Sequence, residues 1–223
     1  MTGCFVTGTD TGVGKTLVSA GLLHALAAHH PRVVGMKPVV AGVVPWGDDW
    51  ASEDAIALRA ASTVAVPPAL DNPVLLTAPL PPHMAAAREG VQIGLPAIVR
   101  SYQALAAQAD AVVVEGAGGL LVPLTDTQTD ADLAQALGLP LVLVVGLRPG
   151  CLSHALLTAE AIRTRGLPFA GWVANRLDAE MGAADEIIAW LGARLDAPLL
   201  ADVPYQDLPE PGRLVFELPA AWR

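Results

Sequence analysis

The chemistry this sequence can do gathers around two lysines. Lys15 closes the run Gly8-Thr9-Asp10-Thr11-Gly12-Val13-Gly14-Lys15-Thr16. The backbone N–H groups of such a glycine-rich loop, together with the N-terminus of a helix behind it, make a nest for an anion. Lys15 then reaches the β- and γ-phosphates of a nucleotide, and the Thr16 hydroxyl ligates magnesium. The usual phosphate loop has four residues between its outer glycines, whereas Gly8 and Gly14 enclose five, so the loop is a lengthened variant. Of the thirteen basic residues only Lys15 and Lys37 are lysines; the others are arginines. A compact, flexible ammonium suits a site where a planar guanidinium does not. Lys37 ends an apolar run, at the same edge as the loop, where a second positive charge would stabilise a phosphoryl group in transfer.

Other polar residues follow apolar runs in the same way. Glu115 ends the run 111–115 and precedes Gly116, Ala117, Gly118 and Gly119, a position suited to a second magnesium contact. Asp54, taken alone, reads as a solvated acid in the first turn of a helix. Asn175 follows the run 169–174, where an amide can pair with the N6/N7 edge of adenine. With Arg176, Leu177 and Asp178 it also loosely matches a guanine-reading Asn-Lys-x-Asp pattern, and turn chemistry alone favours Asn and Asp there. Gly150, Cys151, Leu152 and Ser153 open a helix whose free N–H groups suit an anion such as a carboxylate, or form an ordinary Gly/Ser helix start. No acid–base or nucleophilic constellation stands out: His83 and His154 read as local hydrogen-bonding residues, and His24, His29 and His30 as helix-surface residues. Cys4 and Cys151 read as reduced, buried thiols.

Short apolar runs at 4–7, 33–37, 111–115, 140–146, 169–175 and 198–203 predict strands. Helical spacing predicts helices over 15–29, 52–61, 95–108, 130–137, 151–165 and 178–195. Continuous β-branched runs without alternation belong to parallel strands covered on both faces. Their alternation with helices predicts an α/β, P-loop NTPase-like, doubly wound and mainly parallel sheet with helices on both faces. Ligands in such sheets sit beyond the carboxyl ends of the strands. Residues 64–82, with prolines at 67, 68, 73, 79, 81 and 82, read as an irregular excursion near the site, and the chain from Pro204 onward also reads as irregular.

The 223 residues suit one domain over 1–223. A net charge of −9 argues against nucleic acid as a partner, and an anionic nucleotide must be held by local positive charge. Without a basic leader or a membrane-length apolar run, the expectation is a cytoplasmic protein with no membrane partner.

Taken together, the chain resembles the dethiobiotin synthetase family nearly end to end. The matching pieces are the run from Val6 to Thr16, Lys37-Pro38-Val39, Val114-Glu115-Gly116-Ala117-Gly118-Gly119, Gly150-Cys151 with His154, Gly171-Trp172-Val173-Ala174-Asn175, and Val203-Pro204. The lengthened loop holding Thr-Asp-Thr is the most specific of them. The resemblance implies an ATP- and Mg2+-dependent cyclo-ligase that converts 7,8-diaminononanoate and CO2 to dethiobiotin. It implies a carbamate, then a carbamic–phosphoric anhydride, in a homodimer with its substrate site at the interface. By position it assigns Lys37, Lys15 and Thr11 to catalysis, and Thr16, Asp54 and Glu115 to magnesium. Nucleotide contacts fall to Gly12, Val13, Gly14, Lys15, Thr16, Leu17, Asp54, Glu115, Gly116, Ala117, Gly118, Asn175, Arg176, Pro204, Tyr205, Gln206 and Glu210. Substrate contacts fall to Thr11, Lys37, Ala41, Gly150, Cys151, Leu152 and Ser153. Ala41 departs from the family, which commonly has a small hydroxyl residue there. The alternative is a nucleotide-switched P-loop dimer of the partitioning or septum-positioning type. That reading expects a second lysine early in the loop, where Thr9 and Asp10 stand, and a basic or amphipathic segment facing DNA or membrane.

Overall fold

Valine-rich runs such as 112–114 and 141–145 are apolar on both faces of a strand, so they are stable only between two helical layers. The computed structural model, which describes residues 2–46 and 49–223, has this arrangement. Its main sheet contains β1 (Thr2–Gly8), β2 (Val33–Met36), β7 (Ala111–Gly119), β8 (Leu141–Leu147), β9 (Phe169–Arg176) and β10 (Leu199–Val203), in the order β10-β9-β8-β1-β7-β2. All five pairings are parallel. Side chains alternate across it: Cys4 and Val6 enter one core with Leu22, Leu23 and Leu26 of α1 (Lys15–Ala27), while Phe5 enters another with Ile98 and Leu105 of α5 (Leu95–Ala106). The first layer is completed by α2 (Glu53–Ala61). The opposite layer holds α4 (Pro82–Glu89), α6 (Asp130–Leu137), α7 (Cys151–Thr164) and α8 (Ala184–Gly192).

Central β1 pairs with β7 on one side and β8 on the other. Its carboxyl end therefore delivers the loop 8–16 between the ends of both neighbours, the crevice where ligands of such sheets bind.

The reading of residues 64–82 as irregular needs correction, and three short strands between residues 39 and 51 were not expected. The three strands are β3 (Val39–Ala41) and the antiparallel pair β4 (Val44–Trp46) and β5 (Asp49–Ala51), and residues 64–82 contain the short α3 (Pro68–Asp71) and β6 (Val74–Leu76). β6 runs parallel to β3, Val39 opposite Val74 and Ala41 opposite Leu76. Three-residue strands offer too few alternations to register as a period, and the prolines mask them. The last helix, expected from 178, begins at Ala184. After β10 the chain forms 3-10 turns at Pro211–Arg213 and Ala220–Trp222, and the first packs against α1. His30, expected on a helix surface, lies past the end of α1 with its Nε2 3.1 Å from the Trp222 carbonyl. Among the described residues no helix is long and apolar enough to cross a membrane.

Candidate functional site

The loop after β1 takes its shape from two glycines with positive φ, Gly12 at 73° and Gly14 at 89°. Gly14 also lies against the Asn175 amide, which a Cβ there would overlap. Lys15 opens α1, 7% exposed, and its Nζ donates to the Asp10 carbonyl at 3.2 Å. Burial, followed by the neighbouring positive charge of Lys37, lowers the Lys15 pKa below the ordinary lysine value.

Lys37 follows β2 and is buried. Its Nζ reaches Glu115 Oε1 at 2.7 Å, Asp54 Oδ2 at 2.7 Å and the Gly116 carbonyl at 3.2 Å. Burial works against this ammonium, but the carboxylates of Glu115 and Asp54 outweigh it and raise the pKa above the usual lysine range. Asp54 is therefore not a free helix-terminus charge. Burial pushes its pKa up, and Lys37, with the Thr16 hydroxyl and Lys15, more than reverses this, leaving it lowered.

The Thr16 hydroxyl stands 2.7 Å from Asp54 Oδ1 and 2.9 Å from Glu115 Oε1, and its one hydrogen can serve only one of them at a time. Glu115 Oε2 is buried without any hydrogen-bond partner. An excess of hard oxygen acceptors around one hydroxyl, including an orphaned carboxylate oxygen, suits a hard divalent cation. Among the described residues no group of three or more His, Cys, Asp or Glu is placed to hold a metal. Magnesium is ordinarily held by one or two carboxylates and completed by waters and phosphates.

Two adjoining cavities share Thr11, Lys37, Asp54 and Gly118. One, about 330 Å³, is lined by Gly12, Gly14, Lys15, Thr16 and Glu115 as well. The other, about 460 Å³, extends past Val39, Val40 and Ala41 to Pro79, Leu80, Pro81, Pro82, Ala117 and Val122. A larger cavity of about 580 Å³ lies between the C-terminal ends of α7 and α8. Of its two guanidiniums, Arg163 is paired with Glu160 and Arg194 is stacked on Trp190, and it contains no residue of the phosphate loop.

The remaining expected residues fall as follows. Val13 and Leu17 pack into the core, so of Val13 only the backbone is offered to a ligand. Asn175 is buried and donates one of its two Nδ2 hydrogens to the Val13 carbonyl at 2.9 Å. The Arg176 guanidinium is held by Asp202 at 2.7 Å and Asp185 at 2.5 Å. Pro204, Tyr205, Gln206 and Glu210 follow β10 on the surface; Gln206 Oε1 accepts from Glu210 N, and the Glu210 carboxylate pairs with Arg213. Gly150, with φ 92°, caps α7 ahead of Cys151, Leu152 and Ser153, and none of these four lines either site cavity. His83 is half-buried, and its Nδ1 is buried with no hydrogen-bond partner. Both cysteines are buried and free, and burial pushes the Cys4 thiol up to about 12.

Sequence reasoning missed Asp130. It opens α6 just after the Thr129 cap, whose backbone N–H donates to Asp132. Buried at 1% exposure, its Oδ2 accepts from Ala117 N at 2.8 Å and thereby holds the segment after Glu115. Burial raises its pKa to about 7 despite that bond and the two lysines. Its place after a capping threonine reads as ordinary helix-start chemistry, so nothing in the sequence singles it out.

The parallel sheet, the loop at the end of its central strand and the lysine-bearing cavity define a P-loop NTPase-type nucleotide-binding protein. The model of the AAA domain family matches residues 2–212, and the chain belongs to that family, whose members include dethiobiotin synthetase. Among solved structures it is similar to the MinC:MinD cell division protein complex of Aquifex aeolicus, at 14% identity and TM-score 0.57, covering 93% of this chain and 82% of that one. A ParA family ATPase from Chlorobium tepidum matches at 17% identity and TM-score 0.53, covering 92% and 84%. The signal recognition particle 54 kDa protein of Aeropyrum pernix matches at 15% identity and TM-score 0.52, and the chain spans 43% of it. At these identities the likeness is one of fold.

Proposed function

We propose that the protein is an ATP- and magnesium-dependent cyclo-ligase that converts 7,8-diaminononanoate and CO2 to dethiobiotin. The observation that carries this reading is the 460 Å³ cavity sharing Lys37 and Thr11 with the phosphate loop. It offers a small, largely apolar substrate a berth beside the place of the γ-phosphate. No catalytic acid, base or nucleophile is called for, because phosphoryl transfer asks a protein chiefly for positioning and charge neutralisation. One amine of the diamine takes up CO2 to give a carbamate. A carbamate oxygen attacks the γ-phosphorus of ATP, the bond to the β,γ-bridging oxygen breaks, and ADP leaves. The second amine then attacks the carbamoyl carbon, displaces phosphate and closes the cyclic urea.

In this reading Lys15 and Lys37 stabilise the transferring phosphoryl group and Thr11 holds the carbamate. Thr16, Asp54 and Glu115 would hold magnesium, which would supply charge neutralisation to the nucleotide's phosphates. The whole chain 1–223 acts as one domain. Gly150, Cys151, Leu152 and Ser153, which line neither cavity of their own chain, receive the substrate carboxylate in the partner subunit of a homodimer.

The test is ATP turnover with labelled bicarbonate, with and without the diamine. The expected result is phosphate release that depends on the diamine, with label entering a neutral cyclic urea. Diamine-independent hydrolysis without incorporation overturns the reading. It would favour the second one, a nucleotide-switched dimer, for which the fold likeness to MinD and ParA speaks.

A further inference from the structure

Lys37 lies between β2 and β3 and belongs to neither, so no strand ladder fixes its backbone. Two consecutive residues do so instead. The Lys37 N–H donates to the Asp71 carbonyl at 2.7 Å, and the Lys37 carbonyl accepts from Asn72 Nδ2 at 2.6 Å. Asp71 and Asn72 are both buried. The Asp71 carboxylate is gripped by Arg59 through Nε and Nη2, each at 2.6 Å. Arg59 belongs to α2, and the first turn of the same helix supplies Asp54, a partner of the Lys37 ammonium. The helix thus holds Lys37 at both ends, the tip through Asp54 and the backbone through the Arg59–Asp71 pair.

Packing alone does not account for an amide at position 72. Asn72 Oδ1 is buried with no partner, an unfavourable arrangement that an isosteric leucine would avoid. The amide's other end supplies the difference, since without it the Lys37 carbonyl loses that donor.

We propose that Asn72 is a positioning residue for Lys37: by holding the lysine carbonyl it sets where the ammonium stands relative to the transferring phosphoryl group. This rests on the phosphoryl-stabilising role given to Lys37 above.

The chain's composition supplies a direct probe. Lys15 and Lys37 are its only lysines, so protein carrying 13C at lysine Cε gives two side-chain signals, both from the site. The experiment compares wild type with Asn72→Leu, which keeps the shape and loses the donor, and with Asn72→Asp, which donates only when protonated. For Asn72→Leu the expected outcome is a kcat for phosphate release lowered about 100-fold with KM for ATP within about 3-fold, because a misplaced group costs rate more than binding. The Lys37 signal should move while that of Lys15 stays. For Asn72→Asp, activity relative to wild type should rise as pH falls and the donor returns, a response that packing alone does not produce. If Asn72→Leu does not fold, Asn72→Asp carries the test by itself. An unmoved Lys37 signal with kcat near wild type overturns the proposal. So does a parallel loss of kcat, ATP affinity and thermal stability with both lysine signals displaced and no low-pH recovery. The lysine signals require no turnover, so they decide the role of Asn72 even if diamine-dependent phosphate release is never seen and the ligase reading fails.

Discussion

The Lys37 ammonium meets only one oxygen of Glu115: Oε1 stands 2.7 Å from Nζ, while Oε2 of the same carboxylate is buried with no partner. One oxygen of the carboxylate therefore neutralises the lysine, and the other is left without a partner. The Thr16 hydroxyl also stands on Oε1, at 2.9 Å; in the reading proposed above, Glu115 and Thr16 would hold magnesium together with Asp54.

Glu115→Gln keeps the shape and removes the charge. The expected outcome is a magnesium concentration for half-maximal ATP turnover raised by about tenfold or more, with kcat lowered about 100-fold. A magnesium titration of turnover on folded variant checks it. Wild-type protein treated with a chelator should lose turnover and keep its circular dichroism.

Asp130 predicts a pH dependence of stability. Its pKa is raised from the ordinary carboxyl value to about 7, chiefly by burial. Between the unfolded value and about 7 the folded state binds the extra proton, so stability falls as pH rises through this window and then levels off. Asparagine at 130 keeps an acceptor for Ala117 N and carries no charge. The nucleotide-free Asp130→Asn variant should match wild type near pH 4. It should melt at progressively higher temperature than wild type as pH rises to 8, with the gap reaching on the order of a few kcal/mol. Thermal denaturation across pH checks this; a gap that is constant or shrinks with pH contradicts it.

Gly14 is constrained twice, by a φ of 89° and by the Asn175 side chain in the space a Cβ would take. Gly14→Ala should abolish measurable nucleotide binding, by about 100-fold or more, because the nest of N–H groups cannot form. Gly12 has positive φ too, but the space beyond it is open. Gly12→Ala should therefore cost only the backbone strain of about 1–2 kcal/mol. Calorimetric titration with a nucleotide separates the two.

Much of this was legible because the main-sheet strands are largely apolar runs, and four of the six carry or are followed by a polar residue towards the carboxyl end: Thr7 before the loop, Lys37 just past Met36, Glu115 within β7, Asn175 near the end of β9. Length and position sufficed to align those ends on one edge. The clamp on Lys37 was not legible. It joins residues 59, 71 and 72 to 37 through a bidentate ion pair and two bonds to backbone, contacts that no periodicity encodes. Asn175 was read as a ligand group from its place at a strand end. The structure shows it bonded to Val13, and the contact became visible only when the loop and β9 were brought together.

Ala41 decides between the two readings of the cavity. It ends β3 and lines the wall beyond Lys37, in a stretch otherwise made of Val39, Val40 and Pro79. If the cavity holds the diamine, a hydroxyl added there gives the substrate's polar end one more partner, worth about 0.5–1.5 kcal/mol. Ala41→Ser should then lower KM for the diamine by about 2- to 10-fold with KM for ATP unchanged, since a uniform binding gain appears in KM. Ala41→Leu fills the same space and should raise that KM sharply while nucleotide affinity stays within about 2-fold, because the phosphate loop is untouched. Initial rates with the diamine varied at saturating ATP and bicarbonate measure both. In a nucleotide switch with no small substrate, neither replacement would alter turnover, and the cavity would be a gap between β3 and the proline-rich wall.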